Sequence, residues 1–179
     1  MLATATYVDK TGIAKINTSN KTPNSYSGNI IPQDNVIFVF GSNPEGRHGA
    51  GAAKIARIQF GAQYGVGEGL TGNAYALPTK DLRIKENRGF RSISPEQIIE
   101  NIKKMYDVAR QNPDKIFKVA YRNDILEKSL NGYTGGEMIA MFQKAGNIPE
   151  NVQFSEEWVS NWDVVRQAIE QTNKCKGGK

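Results

Sequence analysis

The segment Val36-Ile37-Phe38-Val39-Phe40 most constrains this chain. It is a continuous apolar run of β-branched and aromatic residues, the pattern of a strand buried on both faces, as in a parallel sheet. Gly41-Ser42-Asn43-Pro44-Glu45-Gly46-Arg47-His48-Gly49 interrupts it, and residues 50–60 then read as a helix. Ala52, Ile55, Ala56 and Phe60 are expected near one face of that helix, and Gly61 ends it. A strand, a glycine-rich loop and a helix in that order place bare backbone N–H groups at a helix N-terminus, where phosphate binds well.

The rest of the chain repeats this alternation. Residues 73–78 and 116–121 read as further sheet strands, and 152–154 as a short fourth one. Ser94 caps a helix that begins at Pro95, with Gln97 placed to complete a capping box. A second helix runs over 136–145. A last one starts at Ser155 and carries Trp158, Val159, Trp162, Val165 and Ile169 as a core-facing stripe. Residues 5–17 predict a β-hairpin turning at Asp9-Lys10-Thr11-Gly12, 17–29 a loop, and 79–93 a polar loop. Strands alternating with helices imply right-handed crossovers and a mostly parallel sheet with helices on both faces. Ligands of such sheets sit outside the carboxyl ends of the strands.

The length of 179 residues suits one domain, expected over 1–173 with a disordered tail at 174–179. The net charge of +5 fits either scattered surface charge or an anionic partner. One cysteine, Cys175, excludes an intramolecular disulfide and a cysteine zinc site, and a single histidine gives no expectation of a transition-metal site. No cofactor is expected. No apolar run approaches the ~20 residues that span a bilayer, and the first residues do not read as a signal peptide. The simplest compartment is a reducing cytoplasm, with no membrane partner.

Two loops carry the candidate chemistry. In the first, Gly41, Ser42, Asn43, Gly46, Arg47, Gly49, Ala50 and Gly51 are candidate ligand-binding residues. Arg47 adds a guanidinium that grips two phosphate oxygens. Asn43 suits either a ribose hydroxyl or the cap of a turn. His48 suits either a general base or a hydrogen-bonding loop residue. In the second loop the candidates are Asn131, Gly132, Tyr133, Thr134 and Gly135. Thr134 suits either a helix cap or a phosphate donor, and Tyr133 a cover for a ribose. Gly67-Glu68-Gly69-Leu70-Thr71-Gly72 matches G-x-G-x-x-G, but it precedes a strand and opens no helix, so dinucleotide-type dehydrogenase binding is rejected.

Over residues 36–158 the chain resembles a macrodomain, the ADP-ribose-binding α/β superfamily, and within it an uncharacterised bacterial and phage branch. The resemblance rests on the strand ending at Gly41-Ser42-Asn43 and on Gly46-Arg47-His48-Gly49-Ala50-Gly51-Ala52-Ala53. It extends to Tyr75-Ala76-Leu77-Pro78-Thr79-Lys80 and Gly132-Tyr133-Thr134-Gly135. It implies a three-layer α/β/α fold with a mixed, mostly parallel sheet. It also implies an ADP-ribose-like ligand, with Asn43 near the distal ribose, 46–51 around the diphosphate, and 131–135 against phosphate and ribose. If the protein is an ADP-ribosyl hydrolase, Asn43 orients the water and His48 or Asp81 is the base. The chain departs from the family in having no Gly-Asp-Ile-type segment, Asp34 being the candidate for the adenine-binding aspartate, and in placing Arg47-His48 within the glycine run. Arg83, Lys85, Arg88 and Arg91 in one loop support a competing nucleic-acid-binding reading, and a partner-binding protein with a vestigial pocket is a third.

Overall fold

The computed structural model describes the backbone of residues 6–8, 14–16 and 22–177, and the side chains of 22–172. The first two strands, β1 (Thr6–Val8) and β2 (Ala14–Ile16), pair antiparallel as a separate two-stranded sheet. The turn at Asp9-Lys10-Thr11-Gly12 lies outside the described residues. The main sheet contains β3 (Asn24–Tyr26), β4 (Val36–Ser42), β5 (Gly69–Thr71), β6 (Ala74–Pro78), β7 (Ile116–Val119) and β8 (Val152–Ser155). Its order is β3-β8-β7-β4-β6-β5. All neighbours run parallel except the β5–β6 hairpin, so the sheet is mixed and mostly parallel. The helices are α1 (Gly51–Gln59), α2 (Pro95–Gln111), α3 (Gly135–Lys144), α4 (Glu156–Val159) and α5 (Trp162–Gly177). The last of these continues through 174–177, where the sequence predicts a tail. No helix among the described residues is long and apolar enough to cross a membrane.

Strand β4 is central because its side chains alternate between two apolar clusters, as the period of two requires. Ile37 and Val39 join Tyr75, Leu77, Phe117 and Val119 in the large cluster under α2, α3 and α5. Phe38 and Phe40 join Ala53, Ala56 and Phe60 in the smaller cluster with α1. The two alanines let α1 lie close to the sheet, and Phe60 stacks on Phe38 at 4.4 Å between ring centroids. This register turns Ile55 outward, against the sequence expectation.

Other differences have local causes. Asn24–Tyr26 reads as loop by composition but pairs with β8, where Tyr26 is buried and its hydroxyl donates to the Val119 carbonyl at 2.7 Å. Tertiary pairing here overrides weak strand propensity. Gly69–Thr71, inside the G-x-G-x-x-G match, is an antiparallel edge strand. Ser94 caps α2 by accepting from the Gln97 backbone, but the Gln97 side chain turns to Asn101 and the box stays half made. The single helix expected from Ser155 breaks at Ser160-Asn161 into α4 and α5, so that both Trp158 and Trp162 are buried.

Candidate functional site

Parallel strands β4 and β7 are neighbours, and their carboxyl-end loops diverge. One leads through α1 towards β6 and the other through α3 towards β8. Such a divergence leaves a crevice at the strand ends. A cleft of about 650 Å³ opens there, within the range of small-molecule sites. Both loops named from the sequence reach it: Gly41, Ser42, Asn43, Arg47, Gly49 and Ala50 line one side, and Asn131 lines the other. The start of α1 and the second loop come close together. A Cβ on Gly51 would lie 3.4 Å from the Leu130 side chain.

In the first loop the Asn43 amide closes a turn. Its Nδ2 donates to the Arg47 carbonyl at 3.0 Å and its Oδ1 accepts from the Arg47 N–H at 2.8 Å. Both ends of the amide therefore hold the loop, which supports the turn-capping alternative for Asn43. The Gly46 N–H donates to the Asn43 carbonyl at 2.9 Å, so it is not a bare donor, and Gly46 does not line the cleft. The glycine is there because φ is +71° and a Cβ would collide with the Gly65 main chain. The open donors come later. The α1 N-cap is Ala50, which has no side chain to cap the first turn, and that turn holds no acidic residue. Its first N–H groups and partial positive charge are available where Gly49, Ala50, Ala52 and Ala53 line the cleft. Arg47 is exposed beside them.

The second loop has a different role from the one expected. Thr134 and Glu137 form a full capping box on α3, and the N–H groups of Gly135 and Gly136 donate to the Glu127 and Ile125 carbonyls. The Gly132 N–H bonds to the Ser129 carbonyl, and the Tyr133 N–H to Asn131 Oδ1. The α3 N-terminus is thus closed to an anion. Gly132, Tyr133, Thr134 and Gly135 are absent from the cleft lining. Tyr133 is buried: Arg91 lies over its ring, and its hydroxyl donates to the Ile93 carbonyl at 2.7 Å, so it covers no ribose. Segment 123–128 lies against Gly135 so closely that a Cβ there would collide with the Asp124 carbonyl.

Neither candidate base reaches the cleft. His48 is fully buried with the α1 cluster, edge-on to Phe40 at 5.0 Å, and neither ring nitrogen has a hydrogen-bond partner among the described residues. Burial lowers its pKa below the usual value, the Arg57 charge adds to this, and the Val66 main chain opposes it. Asp81 is gripped by Arg83 through both carboxylate oxygens, at 2.9 and 2.8 Å. That side-chain hydrogen bonding holds the carboxyl at about 2, far from a general base at neutral pH. Asp34 sits at the opposite, amino end of β4, too far along the strand to meet a ligand at its carboxyl end.

The histidine gives a pH prediction. Its folded-state pKa lies below the unfolded value of ~6.5, so its contribution to stability is complete above that pH and is lost as pH falls towards the folded value. Stability measured by denaturant titration from pH 7.5 to 5 should fall by at most about 1.4 kcal/mol per pH unit from this one proton. His48→Phe should remove that part of the slope. An unchanged slope in the variant would assign the pH dependence elsewhere.

The residues that complete the cleft follow the neighbouring strands. Thr79, Lys80 and Leu82 come after β6, and Tyr121, Arg122 and Asn123 after β7. Lys128, Ser129 and Leu130 precede α3 on the second loop. Ser129 and Leu130 open the second glycine-rich loop read from the sequence, and Thr79 and Lys80 lie in a quoted stretch of the resemblance; Leu82, Tyr121, Arg122, Asn123 and Lys128 did not stand out as site residues. The rule that ligands gather at strand carboxyl ends was the signal that points to them. Tyr121 forms a floor. It stacks on Trp158 at 5.4 Å and 7° between planes, and its hydroxyl pairs with Thr79 Oγ1 at 3.2 Å. Gly41 is glycine because a Cβ would collide with that hydroxyl. Burial pushes the Tyr121 phenol up to about 12, so it stays protonated. Arg122 is held at the lip by Glu157 at 3.0 Å and Asn29 at 3.5 Å. No cluster of three metal-ligating residues occurs among the described residues. Set against protein-family models, curated proteins and solved structures, the chain matches none.

Proposed function

We propose that the cleft binds a phosphate-bearing nucleotide of the ADP-ribose type, in a three-layer, macrodomain-like α/β/α domain. One observation carries this reading. Arg47, Lys80, Arg122 and Lys128 line the cleft together with the uncapped α1 N-terminus, and no carboxylate is among the lining residues. Positive charge of one sign between low-dielectric walls concentrates an anion there. The diphosphate rests on the first turn of α1 beside Arg47, and Leu130, Tyr121 and the alanines of α1 supply apolar contact for base and ribose.

Binding is favoured over hydrolysis. The lining contains no imidazole or carboxylate to take a proton from water, and the Asn43 amide is committed to Arg47. The nucleic-acid reading loses two of its four loop cations to ion pairs, Arg83 with Asp81 and Glu45, and Arg91 with Glu137.

Calorimetric titration of the whole chain with ADP-ribose tests the proposal, and no heat at millimolar ligand would remove it. Arg47→Ala should weaken binding roughly tenfold or more, the loss expected when a charge-assisted contact of about 1.5–3 kcal/mol is deleted. Equal affinity in the variant would move the phosphate away from α1.

A further inference from the structure

The loop that walls the cleft is fastened to the core by a residue that the nucleotide reading does not use. Arg47 and Gly49 line the cleft, while His48 between them is fully buried and does not line it. Its ring lies edge-on to Phe40 of β4 at 5.0 Å. The Tyr64 ring, largely exposed, is 6.3 Å away, so the imidazole is covered but close to the surface. The main chain is tied on both sides of it. The Arg47 N–H and carbonyl are held by the Asn43 amide, and the His48 carbonyl accepts from Arg57 Nε at 3.2 Å.

This seat suits a neutral ring and not a charged one. Neither ring nitrogen has a hydrogen-bond partner among the described residues. The charge beside it is Arg57 of α1, of the same sign as an imidazolium, and Tyr64 is its other titratable neighbour. The nearby carboxylates are engaged elsewhere. Glu45 of the same loop turns to Arg83 and the Leu82 N–H, and Glu68 reaches Lys104 at 3.8 Å. The Val66 main chain favours a charged ring but makes no hydrogen bond to it. An enclosed cation without an acceptor costs far more than a hydrated one. Free histidine takes up its proton near ~6.5, so mild acid sets that cost against the packing of a single ring. The ring reaches water by leaving its seat, and the residues on either side of it move with it.

We propose that His48 is an acid-operated latch: protonation releases its ring from the α1 cluster, shifts Arg47 and Gly49, and dismantles the first wall of the cleft. At neutral pH the loop is closed and the cleft is formed; in acid the wall is open. The opening stands independently of the nucleotide reading, whereas the loss of ligand that follows from it rests on that reading.

The chain has one histidine, so its ring nitrogens report without overlap in magnetic resonance spectra of the whole, untagged protein. Over a titration from pH 7.5 to 5 the ring should take up its proton below ~6.5, and the backbone amide signals of Arg47, Gly49 and Gly51 should move with the same midpoint. In His48→Phe those amides should stop titrating, and His48→Gln serves if the phenylalanine variant does not fold. A ring that titrates while the amides stay fixed overturns the latch, as does a ring that stays neutral throughout or amides that titrate equally in the variants. Amides of Val39 and Leu77 in the core that move together with the loop overturn it in favour of whole-chain unfolding. ADP-ribose supplies the functional arm, because its diphosphate keeps the same charge over this range. Its affinity should fall on acidification, by up to about tenfold for each pH unit below ~6.5, and should hold within about twofold in the variant. Undiminished or tighter binding to the parent in acid overturns the latch and leaves the nucleotide reading standing. If ADP-ribose binds at neither end of the range, the nucleotide reading fails, and the ring and amide titrations still decide this inference.

Discussion

Trp158→Ala should destabilise the protein by about 3–5 kcal/mol, the range for deleting a buried tryptophan. Trp158 is fully buried and sits where core and cleft meet. Its ring stacks on Tyr121 and on Phe154 and meets Phe142 edge-on at 5.7 Å. Its Nε1 donates to the Asn123 carbonyl at 2.8 Å. Alanine would open a cavity among these rings and leave that carbonyl without its donor. Tyr121 would lose the surface that holds its hydroxyl beside Thr79 and above Gly41, so ligand affinity should fall with stability. Trp158→Phe keeps most of the packing and loses the N–H, and should cost only about 1–3 kcal/mol. Denaturant unfolding of both variants checks the pair. A loss below 1 kcal/mol for alanine would mean that Trp158 does not organise this region.

The second large effect is expected at Gly46. Alanine there must adopt φ near +71° and place its methyl against the Gly65 main chain, which cannot swing aside as a side chain can. The left-handed backbone costs about 1–2 kcal/mol and the overpacking about 1–3 kcal/mol. Gly46→Ala should therefore lose about 2–5 kcal/mol of stability. Its second consequence is functional. Gly46 bridges Asn43 and Gly65 through its own N–H and carbonyl, so a shifted Gly46 displaces Arg47 and the approach to α1. Gly49→Ala is the internal control, because a Cβ at Gly49 meets nothing within 4 Å and its φ is not positive. It should stay within about 0.5 kcal/mol of the parent. Similar losses in both variants would show that loop flexibility, and not the Gly46–Gly65 contact, sets the cost.

Much of the architecture was legible before any coordinates. The run 36–40 contains no polar residue, so burial on both faces followed, and with it a central position in the sheet. Ser94-Pro95 carries local capping chemistry that does not depend on distant contacts, and α2 begins there. The loop between β4 and α1 could be named as a candidate wall of the cleft because glycines and a helix start are adjacent in sequence. By contrast β3 and β5 are three-residue strands whose partners lie far along the chain or across a hairpin, and nothing in their own composition required a sheet.

The local grammar was legible along the chain: the buried strand, the alternation with helices, the breaks, and the glycine-rich loops after β4 and before α3. Tertiary structure decided which polar groups remain free at that cleft. Thr134, Gly135 and Asn43 have the right chemistry to hold a ligand, but each is consumed by a neighbour: a capping box, the carbonyls of segment 124–127, and the Arg47 main chain. His48 is turned into the α1 cluster, and Asp81 is closed by Arg83. Tyr121 and Lys128, unremarkable along the chain, are brought to the cleft beside Lys80 by the order of strands β6, β4 and β7. The physical reason is that each donor or acceptor is satisfied by whatever folding places next to it, and sequence spacing carries no record of contacts made between distant segments.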